Sequence, residues 1–476
     1  MGGLKHTVTQ RACVLIISHD VVDARMAGPG IRYWELARVL ARHFDVLLAV
    51  PGDPSLPDSN LVTLWPYRPG RWGTLVQATE QANAILLCGD VLVWFPELQE
   101  IGVPLIVDGY DPHPMETLAL FAGSSEQSQR HRESARILRA QCRAGDFFIC
   151  ASERQRDWWL GWLGAAGRVN PHTYSQDPSL RKLIDVVPYG LPSTPPHHTQ
   201  QVLKGVWSGI AAEDKVLLWG GGLWQWLDPL TAVRAMALMR ERRDDVRLVF
   251  PGTRHPNPAV PDMPMREDTV RLAEELSLMN KYVFFGEWVP YEDWSNYLLE
   301  ADVGLSLHFD TVETRLAFRS RILDYVWAGL PMVVTEGDVI SQEIAHFGLG
   351  EVIGYGREQE LTAAVIRLLD KPRLSFDRAF GEAQRVFTWE RAAEPLAEFC
   401  AHPRLAPDTG AGAKQELWLG ASDAERDAKM EALHTIIADQ KAKIDRLQDR
   451  LAGYEQGRFI RMMKWLDDVR PWKVKA

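Results

Sequence analysis

The chain has 476 residues, 46% of them hydrophobic and 24% charged, with a formal net charge of −10. That length exceeds what one core supports, so two or more domains are expected, and the composition excludes wholesale disorder. The acidic balance argues against nucleic acid as the main partner.

In chain order, ACVLIIS (12–18) is a β-branched apolar run suited to a strand buried on both faces. A glycine-bearing loop, HDVVDARMAGPG (19–30), leads into IRYWELARVLARHF (31–44), whose apolar spacing predicts a helix, and then into the strand DVLLAV (45–50). This is one βαβ unit and implies a parallel sheet. Further strands are predicted at VLVWF (91–95), PLIVDGY (104–110), DFFICAS (146–152) and DVVPYG (185–190), with helical stretches at 76–87 and 125–143. After the proline-rich hinge LPSTPPHH (191–198) the alternation restarts. Strands are predicted at KVLLWGGG (215–222), VRLVFPG (246–252), YVFFGEWV (282–289), DVGLSLH (302–308) and LPMVVTEG (330–337). Helices are predicted at 229–242, 294–301 and 318–329. The expectation is two Rossmann-like doubly wound α/β domains, 1–190 and 191–385, facing a cleft, where such sheets take ligands.

Residues 404–424 read as a linker by composition. From Met430 to Tyr454 a heptad seam follows, with Leu433, Ile437, Gln440, Ile444, Leu447 and Leu451 between. Seven of its eight positions are apolar or aromatic, so 425–455 is expected to be a coiled coil making a homodimer or binding a partner transferase, with a lone helix packed on the body as the alternative. The tail 456–476 carries six basic and two acidic residues among Met, Phe and Trp, which suits a membrane surface or a partner groove. The five cysteines are an odd, scattered set without a CxxC pair, which points to reduced thiols in a cytosolic protein. The opening MGGLKHTVTQRA lacks an apolar leader, and no run nears the ~20 apolar residues that cross a bilayer. The expected location is therefore cytoplasmic, at most peripheral to a membrane.

Two segments carry candidate chemistry. In GGGLWQWLDP (220–229), Gly221 and Gly222 let the backbone approach a phosphate, the amides opening the next helix suit the same ligand, and Trp224 and Trp226 could wall a sugar or base. Asp228-Pro229 also reads simply as a helix cap and first helical residue, and the tryptophans as core packing. In HFDTVETRLAFRSRILDYVWAGLPMVVTEGD (308–338), Arg321 and Asp324 can face the same way on a helix. A guanidinium there would neutralise a pyrophosphate and a carboxylate would hold ribose hydroxyls, whereas the plain alternative is an intrahelical pair worth about 0.2–0.5 kcal/mol.

RILDYVWAGLPMVVT is similar to the signature of family-4-type retaining glycosyltransferases of the GT-B fold. The glycine loop and helix at 27–50, with Gly28 and Gly30, resemble the part of that family whose amides face the donor diphosphate. DVVPYGLP resembles the entry to its second domain, and FTWERAAEPLAEF (387–399) its crossing helix, here placed at 386–403. The resemblance covers residues 10–400. It implies transfer of a sugar from a nucleoside diphosphate sugar with retention, to a glycan or lipid-linked glycan, with no metal and no cofactor beyond the substrate itself. Asp324, five residues before Gly329, takes the position of the carboxylate that holds the nucleotide ribose. DGYDPHP (108–114) makes His113 and Asp111 candidates on the acceptor side, with a capped, proline-rich turn as the other reading. The chain departs from the family in lacking Arg and Lys after the glycines of the second domain. It also departs at its paired glutamates, where Leu316 stands at the first position and Glu313 is the nearest candidate. Arg254, Arg319 or Arg321 would then supply the positive charge. A GT-B sugar-nucleotide epimerase and a catalytically silent scaffold that recruits transferases are the rival readings.

Overall fold

The computed structural model describes residues 11–52, 61–254 and 263–409, together with helical positions at 436, 437, 440, 441, 443, 444, 446 and 447. The chain divides into two compact units after Lys414. The first unit contains two lobes, each built on one parallel sheet.

In the N-terminal lobe the strands are β1 (Cys13–Ile17), β2 (Asp45–Pro51), β3 (Val62–Tyr67), β4 (Ala84–Leu87), β5 (Leu105–Asp108), β6 (Phe147–Cys150) and β7 (Ile184–Val186), in the order β3-β2-β1-β4-β5-β6-β7. The C-terminal lobe has β8 (Lys215–Trp219), β9 (Val246–Phe250), β10 (Val283–Phe285), β11 (Val303–Ser306), β12 (Met332–Thr335) and β13 (Gly350–Ile353), in the order β10-β9-β8-β11-β12-β13. Val14 lies opposite both Val46 and Ala84, and Leu217 opposite both Leu248 and Val303, so β1 and β8 are the central strands from which each sheet grows in two directions. Both faces of these strands are covered, which is why they read as unbroken apolar runs.

The segment 76–95 is ordered differently from the expectation. Ala84–Leu87 is the strand beside β1, while Val91–Trp94 is one helical turn. Each is a four-residue apolar run, and at that length periodicity does not separate a strand from a helical turn. β3 and β13 escape the pattern because both are edge strands only partly buried; β3 even tolerates Pro66, whose missing N–H has no ladder partner to lose.

The chain returns to the N-terminal lobe after the second sheet. Leu191 and Thr388 bridge the two crossings, and Arg42 pairs with Glu390 at 2.7 Å. The predicted crossing helix is two short ones, Trp389–Ala392 and Glu394–Ala401; Pro395 in the first turn of the second has no N–H to continue the first. Residues 404–409, expected within a linker, are instead tied down. Asp408 is fully buried against Arg168 at 2.8 Å, and Ala406 N–H donates to Asp146. The rest of the linker and the tail lie outside the described residues, as does the coiled coil apart from the eight positions named. Among the described residues no helix is long and apolar enough to cross a membrane.

Candidate functional site

The carboxyl ends of the two sheets face each other. Tyr110 Oη donates to Phe318 O at 3.0 Å, Gln155 Nε2 to Leu316 O at 2.9 Å and Arg154 Nη1 to Gly337 O at 2.7 Å. On the other flank Tyr291 N–H donates to Ala24 O at 2.8 Å. The segments so apposed follow β1, β5 and β6 in one lobe and β10, β11 and β12 in the other. Between them lie the ends of β1 and β4 and of β8 and β11, where strand order reverses and such sheets leave a crevice.

On the C-terminal side β8 runs into Gly220–Gly222. Tyr325 fixes the start of this loop: its Oη accepts from Gly220 N–H at 2.7 Å and lies within 2.8 Å of Leu305 O and 3.1 Å of Leu218 O. Gly221 has φ +81°, the left-handed region in which a side chain would be strained. Arg321 leans on this loop. Its Nη2 is 3.4 Å from Gly222 O, its guanidinium lies 5.4 Å from the Trp219 ring, and its Nη1 is buried with no hydrogen-bond partner. Burial, with Arg319 nearby, pushes its pKa down to about 10.

Arg319 is handled differently. Its Nη1 and Nη2 clasp Glu313 at 2.9 and 2.7 Å, both side chains being buried, and only its Nε lacks a partner. His308 closes the group from the end of β11. It directs Nε2 at Glu336 O, 2.9 Å away, leaving Nδ1 buried and unpartnered, and burial beside Arg319 and Arg321 pushes its pKa down to about 3. The imidazole is therefore neutral, and Arg321 is the cation of this group without a carboxylate partner. Asp324 does not pair with Arg321. It accepts from Trp294 Nε1 at 3.0 Å, and burial raises its pKa to about 7 against the pull of that bond and of Arg321.

Opposite, the helix Gly28–Leu40 opens without a side-chain cap, and a Cβ at Gly30 would sit 2.4 Å from Val21 O. Arg32 of this helix clasps Asp108, at the end of β5, through Nε at 2.6 Å and Nη2 at 3.0 Å, and also donates to Val187 O and Pro188 O. His113 begins the helix His113–Leu120, and partial desolvation of its imidazole, with His19 nearby, lowers its pKa. Asp111 and Glu116 both titrate above the usual carboxylate range because they are enclosed with acidic neighbours, Asp108 for the first, Asp111 for the second and Glu313 for both.

No protein-family model matches the sequence, and neither does any curated protein. Among solved structures, the chain is similar to the sucrose-phosphate synthase of Thermosynechococcus elongatus, with a TM-score of 0.57 at 17% identity over 82% of this chain and 98% of that one. The Anabaena protein HepE, in complex with UDP and glucose, gives a TM-score of 0.58 at 14% identity over 83% of this chain and 100% of that one. WaaG, described as a glycosyltransferase involved in lipopolysaccharide biosynthesis, gives 0.51 at 16% identity over 85% of this chain and 100% of that one. The chain has the GT-B fold.

In the C-terminal lobe of this GT-B fold the predicted residues fall into three groups. Gly221, Gly222, Arg321 and, one helical turn on, Asp324 gather at the end of β8, and the parallel rings of Trp224 and Trp226, 5.2 Å apart, stack on the same loop. Glu313 and Arg319, read from sequence as separate candidates, satisfy each other. Arg254 is exposed at the edge of a described segment. The helix after the glycine loop is capped by Asp228, whose Oδ1 accepts from Thr231 N–H at 3.0 Å, so its opening amides already hold a carboxylate. Sequence reasoning missed Trp294, the Tyr325 clasp, the Arg32–Asp108 pair and Glu116. Of these only Glu116 had a local signal, three residues beyond His113. Among the described residues no three His, Cys, Asp or Glu side chains are gathered so as to hold a metal ion.

Proposed function

We propose that this protein transfers a glycosyl group from a nucleoside diphosphate sugar to a glycan or lipid-linked glycan acceptor, with retention and without a metal ion, in the synthesis of surface polysaccharide or a related glycoconjugate. The observation that carries this reading is Arg321, a half-buried arginine beside the glycine loop whose Nη1 is buried and unpartnered and which forms no salt bridge among the described residues. A buried cation in that condition is costly unless an anion completes it. A departing diphosphate is such an anion, and preorganised donors aimed at developing negative charge are the strongest single source of rate in group transfer. Asp324, one helical turn further, would hold the ribose; Trp224 would flank base or sugar; and Asp111, Glu116 and His113 would serve the acceptor side. The neighbours fit: HepE is seen with UDP and glucose, and an Escherichia coli neighbour with UDP-2-fluoro glucose.

The test is a thermal-shift and calorimetric screen with UDP, GDP, dTDP and their sugars, followed by turnover of donor labelled in the sugar. A stabilising ligand whose binding is lost in Arg321→Glu, and label appearing on an acceptor, are expected. Unchanged affinity in Arg321→Glu overturns the donor site. Label that stays on the nucleotide while its sugar changes configuration replaces transferase with epimerase.

A further inference from the structure

The described helical positions between 436 and 447 carry exposed apolar side chains. Ile436, Ile437, Ile444 and Leu447 are exposed by 51–56%, far more than apolar side chains of a folded domain need be. With Ile437 and Ile444 at heptad position a, Gln440 and Leu447 fall at d, and the same register runs from Met430 to Tyr454 in the sequence.

The charges in that stretch are sorted about the seam. Of the five Lys and Arg between 429 and 455, four (Lys429, Lys441, Lys443 and Arg450) occupy e or g, the positions that border a partner helix. Of the five Asp and Glu, four (Glu431, Asp439, Asp445 and Asp449) occupy b, c or f, on the far side. Self-association does not use this arrangement. In a parallel pair each g residue meets the e residue of its partner's next heptad, so Lys429 meets His434, Lys443 meets Gln448, and Lys441 meets Ile436. Only Arg450 meets an acid, Glu455. In an antiparallel pair g borders g and e borders e, which sets basic residues against each other. A lipid surface does not suit the seam either, because it is only two residues wide per heptad and has the amide of Gln440 within it.

We propose that this helix docks an amphipathic helix of a different protein, one whose own seam is flanked by Glu or Asp, to form a heterotypic coiled coil. Choice of partner then rests on the e and g charges, and stability on the a and d side chains.

The full chain is tested by sedimentation and by fluorescence anisotropy with a synthetic four-heptad helix carrying Ile and Leu at a and d, Asn opposite Gln440, and Glu at e and g. The same peptide with Lys at e and g is the control. Expected are a monomeric full chain, binding of the Glu peptide at least about tenfold tighter than the Lys peptide at low salt, and a gap that narrows as salt is added. Lys441→Glu combined with Lys443→Glu should invert the preference, and Leu447→Asp should abolish binding of either peptide. The proposal is overturned by any of three results: a dimeric chain that Leu447→Asp dissociates, equal affinity for the two peptides, or flotation on phosphatidylserine vesicles that requires Lys441 and Lys443.

Discussion

In the N-terminal lobe Arg32 is enclosed on every side: both oxygens of Asp108, two main-chain carbonyls and the face of Tyr110, 4.5 Å away, take up its charge. Arg321 of the C-terminal lobe is half-buried, and among the described residues its guanidinium holds a 3.4 Å contact to Gly222 O and a tryptophan face, with Nη1 buried and unpartnered. The two sheets share a strand order, and both arginines stand on helices and reach the carboxyl end of a strand, Arg32 at β5 and Arg321 at β8, so topology does not separate them. Their partners do. Asp108 favours the charged form of Arg32 strongly enough to raise its pKa despite burial, whereas burial wins at Arg321. A satisfied buried ion pair is costly to break, whereas a cation without its counter-charge is a candidate for binding one from outside.

The largest effect should come from breaking a satisfied pair. Arg32→Ala strands Asp108 in the core and should cost about 3–5 kcal/mol of stability, read as a fall in the denaturant midpoint. Arg319→Ala should cost a comparable amount by stranding Glu313, which shows that the contrast lies between partnered and unpartnered arginines rather than between lobes. Arg321→Ala should do the reverse: the unliganded protein keeps its melting temperature or gains slightly, while nucleoside diphosphate affinity falls. A hydrogen bond to a charged group is worth about 1.5–3 kcal/mol, so the loss should be roughly 10- to 150-fold. Were Arg321→Ala to melt like Arg32→Ala while binding persisted, the distinction would be inverted.

How far the sequence reveals this follows the reach of each interaction. The strands of both central regions are legible as apolar runs because parallel strands are buried on two faces. Asp324 is read from its place five residues before Gly329 and three after Arg321, and the helix Ser320–Trp327 does set it one turn beyond Arg321. The pair Glu313–Arg319 is not, since a spacing of six fits no helix face; it forms only because one helix ends at Leu316 and the next begins at Ser320, folding the two side chains together across the break. Arg321 and Asp324 have the spacing of an intrahelical pair, yet tertiary partners outbid that contact: Trp294 takes the carboxylate and the glycine loop takes the guanidinium. Arg32 and Asp108 lie 76 positions apart, and no local pattern announces a bond over that distance.

The smallest effect is a titration at Asp324. Its pKa stands at about 7 in the folded chain against an ordinary value near 3.8. Between those values the native state keeps a proton that the unfolded chain has lost, so this group's contribution to stability falls as pH rises through the window and levels off above 7. Ribose recognition by Asp324, as proposed, would run the other way. Two hydroxyl donors need the ionised carboxylate, so nucleotide affinity should rise with pH by up to about tenfold per unit below 7 and then flatten. Asp324→Asn should remove both slopes together, with the unliganded protein losing its decline between about pH 4 and 7 and the liganded one its gain. Asp111, also raised by burial, is the internal control, because it lies on the N-terminal side. Asp111→Asn should alter the pH profile of turnover while leaving that of nucleotide affinity in place. If the affinity slope survives Asp324→Asn but not Asp111→Asn, the carboxylate that senses the nucleotide belongs to the other lobe.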